Sequence, residues 1–414
     1  MKLILKGGRV INPADHFDEV ADVLIEDGKI KAVGKDLEAD GADVYDASGK
    51  IVTPGLIDMH THFREPGQEA KEDFESGSKA AAAGGYTTIA TMPNTKPVVD
   101  TAALVRSLEK RAEDVAKVHI RIIGAVTKGQ KGQELAELGD MVEAGAVAFS
   151  DDGHFDPTAK VLLNAYDYLH TFDKVIINHE EEPSLVEDGV MNEGHRSAML
   201  GMKGRPTVAE DIAVARDILL AEYAGARVHV AHISSGRSVE LVREAKKHGI
   251  RVAHNPGSNM KLASGVAPVP RLLKEGVCVA LGTDGASSNN NLDMLEEINL
   301  AAMLHKVSTL DPLAVPARTA LKMGTEYGAK AVGLTGVGKL EAGCKADITL
   351  FDMDGAAWYP RNDLASLLVY SAHADSASTV LVDGKVLMED KELLTLDKER
   401  IFYEAQKCAE RLTK

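Results

Sequence analysis

The chain has 414 residues, 44% hydrophobic and 27% charged, with a formal net charge of −16. That is ample apolar material for a barrel with a small appendage, and an acidic surface without a basic stripe excludes nucleic acid and anionic membrane as partners. Cys278, Cys344 and Cys408 are scattered and form no CxxC pair, so neither a disulfide framework nor a thiolate zinc site is expected, and a reducing cytosol fits. The N-terminal apolar run is too short for a signal peptide. No stretch approaches the ~18 apolar residues of a membrane span.

The first 50 residues read as short strands joined by tight turns. Val23–Gly34 carries Asp27-Gly28 between two alternating apolar runs, a hairpin signal. Ser48-Gly49 precedes Lys50-Ile51-Val52 in the same manner. Near the other end, Ala346–Met353 and Ser378–Asp390 repeat the pattern, with Asp383-Gly384 as the turn. Residues 1–52 and 340–395 are therefore expected to build one small β-sandwich domain from both ends of the chain. A helix, Asp397–Leu412, is expected to finish it, within residues 396–414.

Residues 53–339 alternate strand-like and helix-like segments. The strand candidates are Leu56–His62, Thr87–Met92, His119–Ala125, Ala146–Asp152, Val175–Glu181, Arg227–Ser234, Ile250–Pro256 and Val277–Asp284. Helical runs such as Lys71–Ala83, Val208–Tyr223 and Ser238–His248 lie between them. Eight alternating pairs predict a (β/α)₈ barrel of the TIM type. Most of these strands end in His, Asp or Asn, and C-terminal strand ends form the active face of such a barrel.

His60 and His62 lie two apart on the first strand, so both imidazoles can share one face. His179 ends strand five, His232 ends strand six and Asp284 ends strand eight. Imidazole nitrogen and carboxylate oxygen at matching strand ends predict a divalent metal centre of one or two Zn²⁺, with Mn²⁺ or Fe²⁺ also suited. Strand four ends Ser150-Asp151-Asp152-Gly153 and carries no lysine. A bridging carboxylate is expected from Asp152, with Asp151 as the alternative, and a carbamylated-lysine bridge is unavailable. His254, at the end of strand seven, is a substrate-contact candidate. His229 is expected to point off the opposite strand face from His232. His16, His119, His154, His170, His195, His248, His305 and His373 show no supporting partners in the sequence.

Residues up to about 252 resemble class I dihydroorotases, through PGLIDMHTHFREPG (Pro54–Gly67), AAAGGYTTIATMPNTKPVVD (Ala81–Asp100), FSDDG, the HEE of strand five and VHVAHISS. The resemblance implies that His60, His62, Asp152, His179 and His232 are metal ligands. It gives Arg64 and Asn94 to a substrate carboxylate, which suits the planar guanidinium fork. From about residue 253 the chain instead resembles methylthioadenosine/S-adenosylhomocysteine deaminases, in HNPGSNMKLASGVAPVPRLLKEG and LGTDGASSNNNLDMLEEINLAAMLHK. Asp284 belongs to both patterns, as a metal ligand and proton carrier. The dihydroorotase motif after strand eight is replaced by Gly285-Ala286-Ser287-Ser288, so that family's second substrate-binding histidine is missing. The chain reads as a hybrid of two relatives joined at strand seven.

The expected chemistry is hydrolysis of a C–N bond by a metal-activated water, with Asp284 as the catalytic proton carrier. The leading expectation is a dihydroorotase-type cyclic amidohydrolase interconverting dihydroorotate and N-carbamoyl-aspartate. An aminopurine deaminase is the alternative; it would recruit Glu181 or Glu182 as an acid unless Glu180-Glu181-Glu182 is simply a solvent-facing loop. A catalytically impaired hybrid scaffold is the third reading. The expected partner is a small-molecule substrate, with homo-oligomerisation left open.

Overall fold

The computed structural model describes all 414 residues except 39, 154–156, 246–248, 395–396 and 413–414. All eight expected barrel strands form, at Leu56–Thr61, Tyr86–Thr91, His119–Gly124, Ala148–Phe149, Ile176–His179, Val228–Ala231, Arg251–His254 and Cys278–Leu281. They are called strands one to eight below. Each pairs in parallel with the next. The ring closes where the Asp284 N–H donates to the His60 carbonyl at 2.9 Å, beside a parallel bridge between Thr61 and Asp284.

The alternation of side chains divides this barrel into two apolar layers. Met59, Ala90, Ile123, Ala148, Ile177, Ala231, Ala253 and Ala280, one from each strand, form a cluster with Ala331 and Val332. Five of those eight residues are alanine, which leaves the barrel axis narrow and filled. The alternate set, including Ile89, Ile122, Phe149, Ile176, Val230, Val252 and Leu281, joins the larger core beneath the surrounding helices. Three of those helices, Phe74–Ala83, Thr207–Ala224 and Gly236–Ala245, match expected runs. The first starts later than expected because Asp73 caps it, accepting from the Ser76 N–H at 2.7 Å. The third was expected to reach His248, which lies outside the described residues, as does His154.

Strand four is only two residues long, against an expected seven. Asp151 leaves the ladder because its carboxylate accepts from the Val126 and Thr127 N–H groups at 2.9 and 3.2 Å. Among the described residues no helix is long and apolar enough to cross a membrane.

Both ends of the chain meet in one nine-stranded mixed sheet. The strand Lys2–Asn12 is its hub, pairing antiparallel with Phe17–Glu26 and parallel with Asp43–Asp46 and Lys50–Pro54. Lys50–Pro54 then receives Ile348–Asp352, which leads to Ala377–Val382 and Lys385–Glu389. The sheet wraps a core of its own that includes Leu5, Val23, Ile25, Ile348 and Leu381. Asp27-Gly28 and Asp383-Gly384 are hairpin turns with both residues at positive φ, the primed geometry that matches strand twist. Ser48-Gly49 is not a hairpin. The buried Ala47 donates its N–H to the Lys6 carbonyl, so the strands on either side both continue along the hub in parallel. The helix Lys398–Leu412 ends the described chain.

His119, which showed no partner in the sequence, joins this sheet to the barrel floor. It opens strand three, and its Nε2 lies 3.5 Å from Asp347 Oδ1 and 3.3 Å from Asp383 Oδ2. Lys345 Nζ donates to Asp383 Oδ1 at 2.8 Å. Burial pulls the His119 pKa down, but the bonds to the two carboxylates outweigh it and leave the group raised. A raised histidine stabilises the fold below its unfolded pKa, and that contribution disappears as pH rises through the folded value. His119→Gln should therefore lower the thermal midpoint by ~1–2 °C near pH 6 and by less near pH 9. A gap between variant and parent that does not change with pH would show that the His119 charge contributes nothing.

Candidate metal centre

Four imidazoles converge on one carboxylate at the mouth of the barrel, and they divide evenly between its oxygens. His62 Nε2 lies 3.4 Å and His60 Nε2 3.9 Å from Asp152 Oδ2. His179 Nδ1 lies 3.3 Å and His232 Nε2 3.9 Å from Asp152 Oδ1. Asp284 completes the group, with Oδ1 3.0 Å from His62 Nε2. The donor atoms of His60, Asp152 and His232, and those of His60, His62 and Asp284, lie within 4.8 Å of one another. All six residues expected as ligands are thus brought together. Asp152 rather than Asp151 faces them, since Asp151 is held by Val126 and Thr127.

Local backbone explains how residues at strand ends come to share one point. Strand one shifts register against strand two between Asp58 and Thr61, which re-aims the residues around His60. His232 and Asp284 follow the last paired residues of strands six and eight and take positive φ, 57° and 67°. Few side chains other than glycine tolerate that region, and such residues concentrate at functional sites. Asp58, fully buried, accepts from the His60 N–H at 3.0 Å and from the Thr283 N–H at 3.1 Å, with the Thr283 hydroxyl at 2.5 Å. It links the strands that carry His60 and Asp284. Sequence reading did not single out Asp58, although it stands two residues before the HxH pair.

The electrostatics are those of a cation site. Burial drives the His60 pKa down to about 3, so its imidazole is neutral and offers a lone pair. Both His60 ring nitrogens are buried without a hydrogen-bond partner, a costly state unless something else coordinates them. Burial would raise Asp152 and Asp284. The His179 bond to Asp152 and the His62 bond to Asp284, with the neighbouring imidazole charges, instead hold both carboxyls well below the usual range. Four imidazoles and two ionised carboxylates fit one or two divalent metals.

Arg64 and Asn94 stand beside this group. Asn94 Oδ1 lies 2.9 Å from His62 Nδ1 and accepts from Arg64 Nη1 at 3.1 Å, while its Nδ2 reaches toward Asp152 Oδ2 at 3.5 Å. A cavity of ≈180 Å³ opens against His62 and Asp284, with Glu72, Asn290 and Asn291 in its wall. His254 is not brought to the cluster. It is 1% exposed, and its Nε2 faces His305 Nε2 at 3.1 Å, which also gives His305 the partner its sequence context lacked. His229 is fully buried, its pKa pushed down to about 3 by burial. The acidic run after His179 is not a solvent-facing loop as a whole. Glu180 is 4% exposed, Glu181 pairs with Arg205 at 3.0 Å, and Glu182 caps a short helix through the Ser184 N–H.

A barrel of this topology with histidines and aspartates at its C-terminal strand ends defines a class of metal-dependent hydrolases, and the chain belongs to the amidohydrolase family, whose model matches residues 51–387. A dihydroorotase of Syntrophotalea carbinolica is 40% identical over 382 residues, covering 85% of this chain and 89% of its own. A dihydroorotase of Pelobacter propionicus is 49% identical over 253 residues, 61% of this chain and 60% of its own. In fold the chain is similar to a zinc-bound adenosine deaminase from Xanthomonas campestris, with a TM-score of 0.73, 22% identity and coverage of 99% and 98% of the two chains.

Changing His60 and His62 together to Ala removes donors from both metal-ligand groupings. Metal content measured after dialysis should fall from about one to two equivalents to near zero. A double variant that keeps its metal would dissolve the assignment.

Proposed function

We propose that this protein is a dihydroorotase-type cyclic amidohydrolase that interconverts dihydroorotate and N-carbamoyl-aspartate. The observation that carries the proposal is the even division of four imidazoles about Asp152, with the Arg64–Asn94 pair beside it. The dihydroorotase relatives support the substrate class. His60, His62, Asp152, His179, His232 and Asp284 would hold one or two Zn²⁺, with Asp152 set between the four imidazoles; the donor set suits zinc. When bound, the metal supplies an activated water and a Lewis acid for the substrate carbonyl.

The protein's own groups complete the reaction. Arg64 receives the substrate carboxylate, and Asn94 holds the guanidinium and the His62 ring in register. Water adds to the ring carbonyl carbon and the C–N bond breaks. Asp284, ionised in its surroundings, takes the proton from the attacking water and delivers it to the departing nitrogen. Residues 53–339 form the hydrolytic barrel, 1–52 with 340–395 the supporting β domain, and 396–414 the C-terminal segment, whose described part is the helix Lys398–Leu412. The three cysteines are free, which is compatible with a cytoplasmic enzyme.

A second reading rests on the segments after strand seven. The deaminase-like motifs from about residue 253 support a hybrid origin. An aminopurine would then be the substrate and ammonia the leaving group. The Glu181–Arg205 pair weighs against it, because it engages one of the two acids such a reaction would recruit.

Asp284→Asn should lower dihydroorotate turnover ~10²–10⁴-fold while metal content stays near that of the parent. Arg64→Met should raise KM for dihydroorotate ~10- to 100-fold, the cost of one charge-assisted contact. Deamination of methylthioadenosine, measured on the same metal-loaded sample, decides between the readings. Efficient deamination that is indifferent to Arg64→Met would put the deaminase first.

A further inference from the structure

We infer that Glu297 is a positioning residue for Asp284, acting through the segments that follow strands seven and eight. The inference rests on Asp284 being the proton carrier. Glu297 lies on the helix Met294–Thr309 and is fully buried. Its Oε2 accepts from the Gly257 N–H at 3.0 Å, in the short helix Pro256–Lys261 after strand seven. Its Oε1 accepts from Asn289 Nδ2 at 2.8 Å, in the loop after strand eight. One carboxylate therefore ties together the segments that follow two paired strands.

Both ties lead to Asp284 within a residue or two. Ser258, next to Gly257, donates its hydroxyl to Asp284 Oδ2 at 2.8 Å. Asn289 also donates to the carbonyl of Thr283, the residue before Asp284, at 2.9 Å. The other oxygen of Asp284 is taken by the Gly285 N–H at 2.8 Å and by His62. Asp284 thus has a left-handed backbone and a carboxylate held at both oxygens, and two of its restraints trace back to Glu297. A Cβ at residue 257 would come within 2.3 Å of Glu297 Oε1, so any larger residue there would displace that carboxylate. Glu297 touches neither the ligand group nor the Arg64–Asn94 pair. It acts on the reaction only by fixing where the Asp284 oxygens sit.

A carboxylate that must first face the attacking water and then the departing nitrogen loses rate when it wanders, even if substrate still binds. In metal-loaded enzyme, Glu297→Ala and Ser258→Ala should each lower kcat for dihydroorotate ~10- to 100-fold, with metal content unchanged. KM should stay within about twofold of the parent. Ser258→Thr, which keeps the hydroxyl, should recover most of the loss. Glu297→Gln, which keeps one acceptor oxygen, should fall between parent and Ala. Because Ser258 lies on one of the two paths from Glu297, the double variant should be faster than the product of the two single losses.

Parental kcat in both single variants would overturn the inference, as would losses that multiply in the double variant. A Ser258→Thr enzyme no better than Ser258→Ala would overturn it too. If Glu297→Ala does not fold, the Glu297→Gln and Ser258 series decides. Asp284→Asn is run alongside. If it retains parental turnover, the proton-carrier reading fails and takes the inference with it. If it is inactive while Glu297→Ala and Ser258→Ala run at the parental rate, only the inference fails.

Discussion

The seam between strands one and eight is the constraint on which the rest of the site depends. A parallel barrel can close only if its last strand meets its first, and here the meeting is short: a bridge at Thr61 and Asp284 and a bond from the Asp284 N–H to the His60 carbonyl. The Asp58 carboxylate reinforces it from inside, accepting from His60 and from both donors of Thr283. Burial raises the Asp58 pKa to about 7 against the pull of those bonds, the signature of a charge taken out of water to organise backbone. Without the seam, the HxH pair and Asp284 would belong to two unconnected edges of an open sheet.

Given the seam, the metal candidates follow from strand geometry and from one exception to it. Alternation delivers alanine and isoleucine to the barrel axis and sends the other set to the helices. His232 and Asp284 escape that alternation by entering positive φ just past their strands. The strain costs on the order of 1–3 kcal/mol per residue. It is held by surrounding bonds rather than by local preference, and the Asp58, Ser258 and Asn289 contacts around Asp284 are of that kind.

Among the described residues the small sheet contributes no side chain to the metal group at the barrel mouth. Its strands close on the floor of the barrel, where Asp347 and Asp383 meet His119 at the start of strand three. Sheet and centre lie at opposite ends of the strands, so variation in one need not disturb the other. The mouth, by contrast, is finished by the segments after strands seven and eight, where Ser258 and Gly285 hold the Asp284 carboxylate.

Most of the architecture was legible in the sequence. Strand periodicity, Asp-Gly turns and polar residues at strand ends are local signals, and they located eight strands, two hairpins and six residues that the structure brings together. Contacts between distant segments were not legible. Nothing local distinguishes Asp151 from Asp152, because which one faces the histidines depends on the backbone of Val126 and Thr127. Nothing local says that Ser48-Gly49 continues along a hub strand, that His254 turns to His305, or that Glu180 is buried while Glu181 pairs with Arg205. Glu297 is one acidic residue among several on its helix until Gly257 and Asn289 close on it. Residue type and spacing determined which chemistry this chain can support. Which side chains carry it, and which hold them in place, was decided by bonds between residues far apart in sequence, which form only when the barrel closes.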